Sequence, residues 1–108
     1  MIVTKTTEGI KVEYQEPVTN ANGTPLVDLA LTSIFYDKGQ GAVKALDVPA
    51  TSPTGGGVIS QIIQVPVGDN EEIDVKVWAI AVDLSGLPSL PSDVITVRID
   101  NLPPAPPL

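Results

Sequence analysis

Proline and glycine are the residues that most limit what this chain can fold into. Eleven prolines and nine glycines are spread along 108 residues, so few stretches are long enough for an ordinary helix. Proline lacks the amide hydrogen that a helix interior needs, and glycine loses much backbone entropy when it is fixed in a helix. No window between them carries apolar residues at helical spacing. The chain is therefore predicted to be all-β.

The segments between these breaks alternate apolar and polar side chains, as half-buried strands do. In residues 9–15, for example, Ile10, Val12 and Tyr14 fall on one face and polar residues fall on the other. Seven short strands with frequent turns are typical of an antiparallel β-sandwich, and 108 residues suit one such domain. The predicted strands are residues 1–6, 9–15, 30–36, 42–48, 58–67, 73–83 and 93–100.

Three segments outside the strands have distinct compositions. Residues 16–28 form a long loop that contains the turn-forming pair Asn22-Gly23. The three consecutive glycines Gly55–Gly57 predict a mobile tip. Residues 101–108 contain four prolines in the last six positions, which favours an extended polyproline II segment serving as a linker or tail.

Composition excludes several kinds of function. The chain has no cysteine and no histidine, so it lacks disulfides, thiolate metal ligands and the usual general base. A net charge of −7 repels phosphate backbones, so nucleic acid is not an expected partner. No apolar run is long enough to cross a bilayer, and residues 1–6 do not resemble a signal peptide. We expect no catalysis, no cofactor and no membrane insertion.

Two short motifs suggest binding. Asp69, Glu71 and Glu72 form an acidic cluster, which is interpreted either as a calcium site or as a solvated turn, since the spacing is not that of an EF-hand loop. The tripeptide Leu46-Asp47-Val48 resembles an integrin-binding sequence of fibronectin. It lies in a predicted strand, however, and a tripeptide recurs easily by chance.

Several segments, in order along the chain, together resemble the fibronectin type III family. They are Tyr14-Gln15-Glu16-Pro17, Ile34-Phe35-Tyr36, and the stretch from Ala81-Val82-Asp83 through Ser85-Gly86 to Pro91-Ser92. The resemblance implies an immunoglobulin-like sandwich over residues 1–100, in a divergent member of bacterial or phage type. It departs from the family at two positions, because Tyr14 stands where the pattern has a core Trp and Val75 stands at the tyrosine-corner position.

The alternation in residues 73–83 also predicts an interaction surface. If Val77 and Ala79 face inward, Trp78 and Ile80 face outward, beside Phe35 of the neighbouring strand. Phe35, Trp78 and Ile80 would then form an exposed apolar patch, which often marks a partner surface. Two alternatives remain: a loop covers Trp78, or the register is inverted and Trp78 replaces the missing core Trp.

The function expected from the sequence is that of a non-catalytic module. It would act as a spacer or docking domain of a larger extracellular, cell-surface or virion protein, in contact with a protein partner or a neighbouring domain. The alternative is a ligand-binding accessory domain, such as the carbohydrate-associated module of a secreted hydrolase. That module would use loops 17–28 and 83–91, which the resemblance places at one end, although neither contains an aromatic residue.

Overall fold

The chain folds into seven strands and no helix, in a computed structural model that describes residues 1–108. This confirms the predicted all-β class and the number of strands. The strands are β1 Ile2–Thr6, β2 Gly9–Gln15, β3 Leu29–Asp37, β4 Ala42–Pro49, β5 Val58–Ile63, β6 Glu72–Asp83 and β7 Ile95–Asp100.

The strands form two antiparallel sheets that pack face to face as a β-sandwich. One sheet has the order β1-β2-β5 and the other β4-β3-β6-β7. The inner face of each sheet carries every second residue of its strands, as the pleat requires. Five aliphatic side chains are completely buried between the sheets and define the centre of the core: Ile10, Val12, Ile34, Val75 and Val77.

Antiparallel pairing sorts the connections into two groups at opposite ends of the sandwich. Connections 16–28, 50–57 and 84–94 lie at the end that we call the loop end, where the Leu84 amide donates to the Asp28 carbonyl at 2.8 Å. Connections 7–8, 38–41 and 64–71 lie at the other end. Because the segment 101–108 also begins at this end of the sandwich, we call this end the tail end. The segment 101–108 contains no strand and is fully exposed.

Two predicted strands are longer than the observed ones by two residues or more. β5 ends at Ile63 rather than at residue 67, because Pro66 cannot donate to a ladder. β7 begins at Ile95 rather than at residue 93. Ahead of it, Ser89 and Ser92 donate their amides to the carbonyls of Ala81 and Ala79 at 2.7 and 2.8 Å. Their hydroxyls accept from the amides of the same two alanines at 2.9 Å, so side chains continue the ladder beside β6.

A buried carboxylate holds the end of β2 against connection 50–57. The Glu16 side chain is only 3% exposed and accepts hydrogen bonds from the amides of Thr51 and Gly57, each at 3.0 Å, and from the Thr51 hydroxyl. Burial by itself raises the pKa of Glu16, but these hydrogen bonds outweigh it and the pKa lies below its ordinary value. Glu16 therefore remains ionised at neutral pH and fixes the connection in place.

The glycine-rich segment packs closely against β2 and is not the free tip that its composition predicts. Gly55 has a φ of 68°, and a Cβ there would overlap the carbonyl oxygen of Pro17. A Cβ on Gly57 would likewise overlap the Thr51 hydroxyl. Glycine is required here because the backbones approach closely.

Replacing Glu16 with Gln tests the carboxylate clamp. An amide offers one acceptor oxygen where the carboxylate uses two, so we expect Glu16→Gln to lower the free energy of unfolding at pH 7 by about 1.5–3 kcal/mol. Because the folded-state pKa of Glu16 is depressed, its contribution is present above the unfolded-state pKa and is lost as pH falls through the folded-state value.

Urea denaturation at pH 7 and at several values between about pH 5 and pH 3, a range around the ordinary carboxyl pKa, measures both effects. The difference between wild type and Glu16→Gln should shrink across the acidic part of that range. Glu13→Gln is the matched control, since Glu13 is a partly exposed residue of the same strand whose ion pair with Lys11 lies at the surface. An equal loss in the two variants would contradict the clamp.

Replacing Gly55 with Ala tests whether the segment is packed or free. Gly23→Ala is the control, because Gly23 also has a positive φ, of 86°, but a Cβ there meets nothing within 4 Å. Gly23→Ala should cost about 1–2 kcal/mol of unfolding free energy from its φ alone. Gly55→Ala should cost clearly more, as judged from urea unfolding curves. Equal costs would mean that residues 55–57 are free to move away from Pro17.

Candidate interaction surface

The outward face of the four-stranded sheet carries two aromatic side chains, one from each of its central strands. Phe35 of β3 and Trp78 of β6 are direct cross-strand partners. Their rings are stacked, with centroids 5.9 Å apart and planes inclined by 8°. A stacked pair of this kind adds about 0.5–1.5 kcal/mol beyond the area it buries. The stack is therefore a rigid aromatic feature on the outside of the sandwich.

Apolar residues extend this feature along the same face towards the loop end. Each member is half-buried, neither in the core nor fully exposed. Towards the tail end the next cross-strand pair is Asp37 with Lys76, which makes a charged border. We call this surface the outer apolar face; it comprises Leu31, Phe35, Trp78, Ile80 and Val82.

The register of β6 decides between the alternatives left open by the sequence. Val77 and Ala79 are buried on the inner side, so Trp78 between them lies on the outer side and does not replace a core Trp. Phe35 and Ile80 lie on the same side as Trp78, as expected. The Trp78 side chain is half-buried. Its indole nitrogen makes no hydrogen bond within the chain and is not itself buried.

A polar group borders the outer apolar face on the β4 side. The buried Ser33 hydroxyl donates to Asp47 at 2.5 Å, and Lys44 reaches the other carboxylate oxygen of Asp47 at 3.3 Å. The hydrogen bond from Ser33 lowers the pKa of Asp47 by more than partial desolvation raises it. Lys44 lowers this pKa further. Within the Leu46-Asp47-Val48 tripeptide, Asp47 is thus engaged and Val48 is buried, so the tripeptide is not displayed as a loop ligand.

The tyrosine that stands in place of a core Trp carries an unsatisfied hydroxyl. Tyr14 packs against the core from β2, and neither its hydroxyl nor that of nearby Thr32 has a hydrogen bond of normal geometry. Burial raises the pKa of Tyr14. The Thr32 hydroxyl lowers this pKa by less than burial raises it, and the charge of Glu16 raises it further. Burial of the two hydroxyls without partners reduces stability, since an unpaired buried hydroxyl loses its hydration.

The two loops proposed for ligand binding do meet at the loop end. Together they border a cavity of about 250 Å³ whose walls include Leu26 and Leu29 on one side and Leu87 and Pro88 on the other. No aromatic residue lines it. The cavity therefore lacks the flat platform on which a sugar ring stacks.

The carboxylates of the acidic cluster are not gathered into one group. The structure brings together no group of three or more carboxylates that could hold a metal ion. Glu72 and Asp74 are instead paired with Arg98, at 2.7 and 3.1 Å. Asp69 and Glu71 belong to an exposed turn, which is the solvated arrangement that the sequence left as one of its two interpretations.

Replacing Trp78 with Ser tests whether the aromatic stack lies outside the core. We expect the fold to be retained, with unfolding free energy lowered by about 1–2 kcal/mol through loss of the stack and its half-buried area. Ile34→Ala provides the comparison, because Ile34 is completely buried on the opposite face of β3 and its truncation should cost about 2–5 kcal/mol. Denaturant unfolding measures both, and a larger loss for Trp78→Ser would place Trp78 in the core.

Three comparisons complete the description of the chain. Searches of protein-family models, of curated proteins and of solved structures found no match for it. Since every element of the structure is a strand, it has no helix long and apolar enough to cross a membrane.

Proposed function

We propose that this chain is a non-catalytic structural and protein-interaction module, related to fibronectin type III domains, in a larger extracellular, cell-surface or virion protein. The outer apolar face carries the proposal, because it is an ordered aromatic and aliphatic surface that the sandwich core does not need. In this role the domain sets the distance between its neighbours and docks a protein on one side.

The strand arrangement supports the relationship to fibronectin type III domains. β1, β2 and β5 share one sheet, while β3, β6 and β7 share the other with β4 at its edge. Immunoglobulin-like sandwiches divide their strands between two sheets in a similar way. One departure from the family pattern is Val75 at the tyrosine-corner position; its side chain is completely buried in the core.

A spacer role is supported by the positions of the two chain termini. Met1 lies at the loop end, where its sulfur is 3.9 Å from the Ser92 hydroxyl, and residues 101–108 leave from the tail end. Segments joined to the two termini would lie at opposite ends of the sandwich. The proline-rich residues 103–108 would keep the following segment at a distance, since polyproline II is extended and semi-rigid.

A docking role is supported by the composition of the outer apolar face. Trp is enriched among the residues that dominate binding energy, and stacking on Phe35 holds Trp78 in one orientation before a partner arrives. A fixed side chain loses little entropy on association. The flanking Lys44 and Lys76 give the face a polar rim that suits a protein partner. The cavity at the loop end gives the carbohydrate-binding alternative less support, because it has no aromatic wall.

Site-specific photo-crosslinking tests the docking role. A benzoylphenylalanine placed at Ile80, in the natural protein and its native setting, should form an adduct with a defined protein. A second variant that also carries Trp78→Ser should lose that adduct. The matched control places the same group at Ser60, an exposed residue of the three-stranded sheet, from which no such adduct is expected. Adducts from both positions alike, or from neither, would overturn the docking role.

A further inference from the structure

Exposed large apolar side chains are concentrated at the loop end. Connections 16–28 and 84–94 contain six of them; five are between 54% and 89% exposed, and the sixth, Val94 at 52%, directly precedes β7. Apolar residues that are scattered singly over a surface need no explanation, but a group at one end of a small domain does. We call this group the apolar tips; it consists of Val18, Val27, Leu84, Leu87 and Leu90.

The loop end is also almost free of charge. Its three connections contain no lysine or arginine and only three acidic residues, Glu16, Asp28 and Asp93. Glu16 is buried and fully engaged, and Asp28 is half-buried, so Asp93 is the one exposed carboxylate of these connections. The tail end, by contrast, exposes four acidic residues, Glu8, Asp69, Glu71 and Asp100, and its connections contain one lysine, Lys38.

The loops that carry the apolar tips are held in one conformation by internal hydrogen bonds. In the first loop, the Asn20 and Thr24 side chains bond to each other at 3.0 Å. The second loop is capped by Asp83, the last residue of β6, whose half-buried carboxylate accepts from the amides of Ser85 and Leu87, each at 2.9 Å. The two loops are joined by the bond from the Leu84 amide to the Asp28 carbonyl. A preformed surface of this kind pays little ordering entropy when it is covered.

We propose that the loop end is a self-association surface on which two copies of this chain meet, apolar tips against apolar tips. A two-fold contact places the same patch on both sides, and an apolar, nearly uncharged patch is complementary to itself. The charge distribution favours this orientation of the two copies. Copies with a net charge of −7 repel one another, and end-to-end contact through the loop ends places both acidic tail ends farthest apart.

Other contacts between copies are less favourable for the same reason. A head-to-tail contact would bring the apolar tips against an end that exposes several carboxylates, which would lose water without gaining a cation. The molecule is 63 Å long including its tail, whereas charge interactions are screened within about 8–10 Å at moderate salt. When two loop ends are in contact, the charges at the tail ends therefore repel each other only weakly. Raising the salt concentration should strengthen the dimer slightly.

Sedimentation equilibrium of the full chain, over a range of about 10 μM to 1 mM, tests the proposal, since interfaces at the small end of the size range dissociate in this window. Wild type should show a monomer–dimer equilibrium. Leu84→Asp and Leu90→Asp should each raise the dimer dissociation constant at least about tenfold, because each places a charge against the opposing apolar surface. Unfolding midpoints close to wild type would show that the variants remain folded.

Two controls separate this surface from the outer apolar face. Val43→Asp changes an exposed apolar residue of β4 near the tail end, and Trp78→Ser removes the aromatic stack, so both should leave the dissociation constant unchanged. Wild type that stays monomeric to the highest concentration would overturn the proposal. Equal weakening by Leu84→Asp and Val43→Asp would also overturn it. A dimer that depends on Trp78 instead would assign self-association to the outer apolar face and overturn the proposal for the loop end.

Discussion

The packing of aliphatic side chains between two sheets is the interaction on which the rest of this structure depends. Ile10 and Val12 of β2 meet Ile34 of β3 and Val75 and Val77 of β6, and all five are completely buried. β-Branched residues dominate this core, and they pack well on a pleated surface with little loss of side-chain freedom. Since successive side chains of a strand point to opposite faces, fixing these residues inward also fixes which residues point outward.

The outer apolar face follows directly from that constraint. With Val77 and Ala79 in the core, Trp78 and Ile80 must lie outside, and pairing of β6 with β3 places Phe35 beside Trp78. The apolar tips depend on a different interaction. They project from loops whose shape is set by side-chain caps and by hydrogen bonds between loops, not by the alternation of a strand. The two surfaces thus arise from different interactions, although they adjoin where Val82 of the outer apolar face pairs with Pro88 of the second loop.

Stability near the loop end rests on polar contacts between residues far apart in the sequence. Glu16 and Thr51 are 35 residues apart, yet one carboxylate satisfies both the amide and the hydroxyl of Thr51. Ser89 and Ser92 complete the hydrogen bonding of Ala81 and Ala79 where β7 has not yet begun. Tyr14 and Thr32 lack such partners, and their hydroxyls remain unsatisfied in the interior. A local pattern cannot reveal these relationships, because the partner lies on another strand or loop.

The sequence by itself determined the all-β class, the seven strands and the placement of Trp78 and Ile80 on one face of their strand. Each of these follows from local rules, namely the period of two in a strand and the breaking of helices by proline and glycine. The tertiary structure alone decided that Trp78 lies outside the core, that Gly55 packs against Pro17, and that the carboxylates of Asp69, Glu71 and Glu72 are not gathered into one group. It also brought the apolar tips together from two distant loops. These outcomes depend on which segments become neighbours, and that is set by the packing of the whole sandwich.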